Sequence, residues 1–230
     1  MKNILGYIAG AVLSAAMVTL VSCRDDNAYI SGNLVSLPDG EVRLYDFHDR
    51  LTAIDSTMSR DGRFAIRQPE TLPDLAFIGF EVFPDLLIPV ILDGKQVYIS
   101  GNLNYKDDIT VSGTKANDDL RRYIASIRNI DIMVRAIELE LDNIDIATDS
   151  VKYATMTHKR DSLRRLIDRS RAEFVSQNPS SIVSAMFLNM SMTDSMDYGQ
   201  VRSLINRLDS TITDNAFSRR MQQRLEQLSN

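Results

Sequence analysis

Few side chains in this sequence are of types that do chemistry, and their spacing narrows the field further. Cys23 is the only cysteine, so the chain can close no internal disulfide and carries no Cys-x-x-Cys redox pair. His48 and His158 are the only histidines, and they fall in different halves of the chain. A metal site would need carboxylates converging on one of them, and no ligand-like spacing stands beside either. At 54–57 the run "IDST" sets an acid next to two hydroxyls, but no base is spaced to activate a nucleophile. A hydrogen-bonding role at a strand end is the better reading. The glycines at 32, 40, 62, 94, 101 and 113 are dispersed and never gather into a phosphate-cradling loop before a helix. A non-catalytic protein with no metal and no cofactor is expected.

What Cys23 can do follows from where it stands. The chain opens with Lys2, continues as an apolar run from Ile4 to Val21, and closes on small Ser22 before Cys23. A positive start, an apolar core and a small-residue cleavage point are the layout of a secretory signal peptide. The run approaches the roughly 20 residues a transmembrane helix needs, yet Arg24-Asp25-Asp26 follows it instead of a basic stop-transfer cluster. Leu20-Val21-Ser22-Cys23 resembles the lipobox of bacterial lipoproteins. That resemblance implies diacylation of the Cys23 thiol, cleavage before Cys23 and acylation of the new amino group; several acyl chains hold a protein on a membrane far better than one. The expected organisation is a lipoprotein signal peptide over 1–22 and a lipidated tether over 23–28. Asp25-Asp26 resembles the acidic export signals of surface lipoproteins and equally suits a soluble tether, so both faces of the outer membrane stay open.

Charge separates the remainder into two parts. The chain has 26 basic and 31 acidic residues and a formal net charge of −5, the wrong sign for a nucleic-acid partner. Residues 23–114 carry 8 basic and 15 acidic side chains, whereas 115–230 carry 17 and 16. An acidic first part and a neutral, charge-dense second part suggest two domains, 29–114 and 115–230.

The first part reads as β. Runs such as "YISGNLV", "EVRLYDF", "RFAIRQ", "LAFIGFEVF", "LLIPVIL" and "QVYISG" are separated by turn signals at Pro38-Asp39-Gly40, Asp61-Gly62, Pro73-Asp74, Asp93-Gly94 and Lys106-Asp107-Asp108. Asp61-Gly62 is the strongest hairpin signal, because a two-residue primed turn needs positive φ. In "EVRLYDF" Val42 and Leu44 face one way while Arg43, Tyr45 and Phe47 face the other. Strands at this spacing predict an antiparallel β-sandwich or open barrel.

The second part reads as α. Leu120, Tyr123, Ile127, Ile130, Val134, Ile137 and Leu141 fall at alternating three- and four-residue steps, one stripe of a long helix. After a turn at Thr148-Asp149-Ser150 a second stripe runs from Tyr153 to Phe174, predicting a helical hairpin that ends at Asn178-Pro179. Ser180 or Ser181 caps a third helix, Asp197 starts a fourth, and a last helix spans about 215–228. Met186 and Met190 are expected in the core, with Met192 and Met196 exposed. The cluster Lys159-Arg160 and Arg164-Arg165 is expected to find acids three or four residues away, at Asp161 and Asp168. The fold class is α+β: a β-sandwich or barrel followed by a helical hairpin or bundle.

With the opening strand at Gly32, "VRL" at 42–44, "IDST", the "DGRF" hairpin at 61–64 and the helix start marked by Gly113 and Asn117, the sequence resembles the domain of unknown function 4369 family. This is the N-terminal domain of thioredoxin-like lipoproteins of gut-type diderm bacteria, and "NPSSIVSAMFLN" is similar to the linker those proteins place before their redox domain. No Cys-x-x-Cys is present, so the redox activity does not carry over. The expected function is a membrane-anchored envelope binding or scaffold module whose β-part meets an envelope protein, a glycan or a peptide. The alternative is an accessory to envelope thioredoxin-like redox or stress chemistry that works with a separate Cys-x-x-Cys partner. The helical stripes also allow a homo-oligomer, because intramolecular and intermolecular pairing need the same pattern.

Overall fold

The reversal at Asp61-Gly62 shows how closely local chemistry dictates shape here. Asp61 and Gly62 both adopt positive φ, 50° and 76°, so the primed turn expected from the Asp-Gly pair joins β3 (Ala53–Ser59) to β4 (Arg63–Arg67). Gly62 is held in place, since its carbonyl accepts the Leu34 N–H at 2.8 Å and an added Cβ would lie 2.5 Å from the Leu34 carbonyl oxygen. This computed structural model describes residues 29–47, 52–69 and 74–229.

The strands β1 (Tyr29–Val35), β2 (Gly40–Asp46), β5 (Asp74–Phe80), β6 (Phe83–Leu92), β7 (Val97–Asn102) and β8 (Tyr105–Ser112) complete two four-stranded sheets. One has the order β4-β1-β7-β8 and the other β3-β2-β5-β6, a sandwich and not a barrel. One pair departs from the antiparallel expectation: β1 and β7 run parallel, Ile30 opposite Val97 through Val35 opposite Asn102. A parallel pair needs a long crossover, and the crossover here passes through the whole second sheet. Two local readings also change. "LAFIGFEVF" is not one strand, because the chain reverses at Glu81-Val82 between β5 and β6; and the reversal after β7 falls on Leu103-Asn104, leaving Asp107 and Asp108 inside β8.

Between the sheets lies a core that includes Ile30, Leu34, Val42, Leu44, Ile78 and Ile99. The second sheet is also covered on its other face. In β5, Ala76, Ile78 and Phe80 point into the sandwich while Leu75 and Phe77 join a second core with the helices. That explains the unbroken apolar run of β5: a strand buried on both faces has no position left for polar alternation.

The helices are α1 (Lys115–Leu141), α2 (Ser150–Gln177), α3 (Ile182–Ser191), α4 (Tyr198–Ile205) and α5 (Ala216–Ser229). Thr114, Asp149, Ser181 and Asp197 cap the first four, each accepting a main-chain N–H, and Asp197 forms a reciprocal capping box with Gln200. At the base of the α1–α2 hairpin Tyr123, Phe174 and Phe187 pack ring against ring, with centroids 4.4 to 5.7 Å apart. Phe217 and Met221 of α5 close this core at 1% and 0% exposure. Met186 is buried as expected, but Met190, on the same face and in the last turn of α3, is exposed, and Met192 packs against the core instead.

Candidate functional site

Among the described residues, those singled out by chemistry do not assemble. Cys23, the lipobox residues Leu20, Val21 and Ser22, the pair Asp25-Asp26 and His48 lie outside the described residues. His158 is exposed on α2, and Asp55 of "IDST" lies exposed on edge strand β3, its carboxylate accepting the neighbouring Ser56 N–H at 2.8 Å. Among the described residues no three His, Cys, Asp or Glu side chains come together to hold a metal ion. Nor is any described helix long and apolar enough to cross a membrane. The basic cluster on α2 is paired differently from expectation: Arg160 pairs with adjacent Asp161, Arg164 reaches across the hairpin to Glu138 at 2.5 Å, and Asp168 pairs with Arg171 instead. Antiparallel packing of the two long helices brings Glu138 within reach, which spacing along one helix cannot reveal.

A different feature stands out where both sheets end on the same side. There β6 is the outer strand of one sheet and β8 the outer strand of the other, and α1 rises beside them. Together they enclose an open cleft of about 200 Å³ lined by Leu86, Leu87, Ile88 and Pro89 of β6, Ile109 and Val111 of β8, and Asn117, Leu120, Arg121 and Ile124 of α1. The lining is apolar except for Asn117 and Arg121, the composition of a small-ligand or peptide groove.

Asn117 sets the geometry of this cleft. Its side-chain amide pairs with the outer edge of β6 as another strand would: the Ile91 N–H donates to Oδ1 at 2.8 Å, and Nδ2 donates to the Ile91 carbonyl at 2.9 Å. Nδ2 also reaches Thr114 Oγ1 at 2.9 Å, tying the first turn of α1 to the same point. Gly113, at φ 103°, lets the chain pass within contact of the Gln96 carbonyl before α1 begins. The Gly113 and Asn117 pair seen in sequence therefore pins a helix to a sheet edge. From that pin α1 runs on to Leu120 and Ile124, and the cleft opens between helix and strand.

Charge at the site is uneven. Arg121, at the mouth, makes a loose ion pair with Asp118 at 3.3 Å, both side chains about half exposed at 49% and 46%. Such a pair is worth little in water, so Arg121 is available to an incoming anion. One residue further on, Asp119 is fully buried; it accepts from Lys115 Nζ at 2.7 Å and from Ser181 Oγ at 2.7 Å, and pairs with Arg122. Burial alone would push its carboxyl up, but the bonds from Lys115, Ser181 and Arg122 outweigh it and hold the pKa below the usual carboxylate range. Asp93, at the end of β6, is shifted the other way by burial.

Asp119 is accordingly a structural anchor that joins α1 to the cap of α3. Its folded pKa is lowered, so its stabilisation is present above the unfolded value of about 3.9 and is lost as pH falls through the folded value. Asp119→Asn is expected to cost about 2 kcal/mol at pH 7. The gap between wild type and variant in urea titrations should narrow steadily below about pH 4; an equal gap at pH 7 and pH 3 would contradict the assignment.

The fold and cleft define an α+β protein in which a β-sandwich, covered on one sheet by helices, presents an apolar groove at its open side. Residues 29–120 match the family model for the Domain of unknown function (DUF4369). The match spans the whole sandwich and stops within α1, so it includes Asn117 and Leu120. No curated protein and no solved structure matches the chain. Sequence reading missed the cleft, although Pro89 offered a signal: within a sheet proline belongs on an edge.

Proposed function

We propose that this chain is a non-catalytic binding module of the bacterial cell envelope, held on the outer membrane by lipid at Cys23, that receives its partner in the cleft beside β6. The observation that supports this reading is the cleft itself, apolar, open and lined by both sheets and α1. The leader sequence ending in Cys23 supports the anchor. A photo-crosslinking residue placed in living cells at Ile124 tests the site, with Val151 at the far end of the hairpin as control. Cys23→Ala should move the protein from the membrane to the soluble fraction. Ile124 should trap an envelope component that Val151 does not. A trapped Cys-x-x-Cys protein would place the module in envelope thiol chemistry; trapping from Val151 alone, or from neither position, would remove the cleft from consideration.

A further inference from the structure

The geometry points to the class of partner: the cleft takes a short, extended, apolar peptide segment that adds a strand to β6 and sets a carboxylate side chain against Arg121. This inference rests on the binding-module reading and names its ligand. The main chain of β6 carries the argument. In an antiparallel ladder the N–H and C=O of alternate residues point to the same side. Ile91 turns both groups away from β5, because both are bonded to Asn117. Leu87 and Pro89 share its parity, standing opposite Gly79 and Phe77 as Ile91 stands opposite Leu75. Their outward groups, the Leu87 N–H and the Leu87 and Pro89 carbonyls, therefore face the cleft. Proline fits this place because its missing N–H would have pointed outward, where β5 makes no demand on it.

Asn117 thus fills one rung of a ladder whose neighbouring rungs are open. An added strand is the occupant that matches those groups, since its own N–H and C=O repeat at the same spacing, whereas an acyl chain would leave them without partners. The walls state what the segment must carry. One face of the added strand would meet Ile109 and Val111 of β8, and the other Leu120 and Ile124 of α1. Both faces are apolar, so the segment is apolar at consecutive positions instead of alternating ones. At the mouth stands Arg121, held among the described residues by a loose pair with Asp118. It calls for an acidic residue beside the apolar run.

The test pans a library of random octapeptides displayed on phage against the immobilised full chain. Enriched peptides should carry three or four consecutive apolar residues next to Asp or Glu. Two changes should each weaken binding at least tenfold: N-methylation of the peptide's own amides, and Leu87→Pro. The second removes one outward N–H at a position where the strand already tolerates proline two residues on, and near-UV circular dichroism checks that the fold is kept. Arg121→Glu should reverse the acidic preference. Absence of enrichment, equal binding of N-methylated peptides, undiminished binding by a folded Leu87→Pro variant, or capture of palmitate-loaded vesicles in place of peptides would each overturn the inference. If Ile124 still traps an envelope component in cells, the binding-module reading stands and only the peptide assignment falls; loss of both results removes the module reading as well.

Discussion

Asn117→Ala should lower stability by about 4 kcal/mol, more than a typical surface substitution by an order of magnitude. The side chain is 1% exposed and serves the Ile91 N–H, the Ile91 carbonyl and the Thr114 hydroxyl at once. Alanine leaves the two main-chain groups of Ile91 buried with no partner, and each such group costs about 1–3 kcal/mol. Asn117→Asp should be no rescue, because a carboxylate keeps the acceptor for the Ile91 N–H but faces the Ile91 carbonyl with like partial charge. Urea unfolding gives the magnitude, and amide exchange gives the place: Ile91 should exchange faster in the variant while Val42, in the core between the sheets, keeps the protection that global stability allows. Unchanged exchange at Ile91 would mean the amide is not what closes this edge.

Phe217→Ala is expected to remove roughly 3–5 kcal/mol, the cost of truncating a large aromatic in a filled core, which for a chain of this length lowers Tm by roughly 10 °C. Phe217 is 1% exposed and shares its core with Leu75 and Phe77 of the sheet as well as with α1, α2 and α3. Its removal should therefore weaken sheet and helices together. Arg220 strengthens the coupling, since it pairs with Asp74 at the start of β5 while stacking 5.6 Å over the Phe217 ring. Thermal melts followed by helical and by aromatic circular dichroism signals should fall together in wild type and variant. Two separated transitions, with only the helical one moved, would show that the core shared by sheet and helices carries no cooperativity.

These two residues also mark the limits of sequence reading. Phe217 lies in a helix whose position could be read from its pattern, but nothing local says that its ring meets a β-sheet. Asn117 could be recognised beside Gly113 as part of a helix start, yet its partner Ile91 lies on a strand far back in the chain. The cleft was hidden for the same reason: Leu87, Ile109 and Ile124 are three ordinary apolar residues until β6, β8 and α1 are set side by side. The exposure of Met190 and the pairing of Arg164 with Glu138 escaped for the same reason, since what surrounds a helix was not in view.

By itself the sequence determined the pieces that depend on near neighbours. The Asp61-Gly62 turn, the turn at Thr148-Asp149-Ser150, a cap within Ser180-Ser181, the helix start at Asp197, the helix end before Pro179 and the change from two-residue to helical periodicity all arise within a few residues, where backbone sterics and side-chain hydrogen bonds act. Only the tertiary structure decided which strands share a sheet, that β1 and β7 run parallel, which face of β5 meets the helices, and which strand is left as an edge. Those outcomes depend on contacts between residues far apart in the chain, and the same apolar pattern can serve several pairings until one arrangement buries them all.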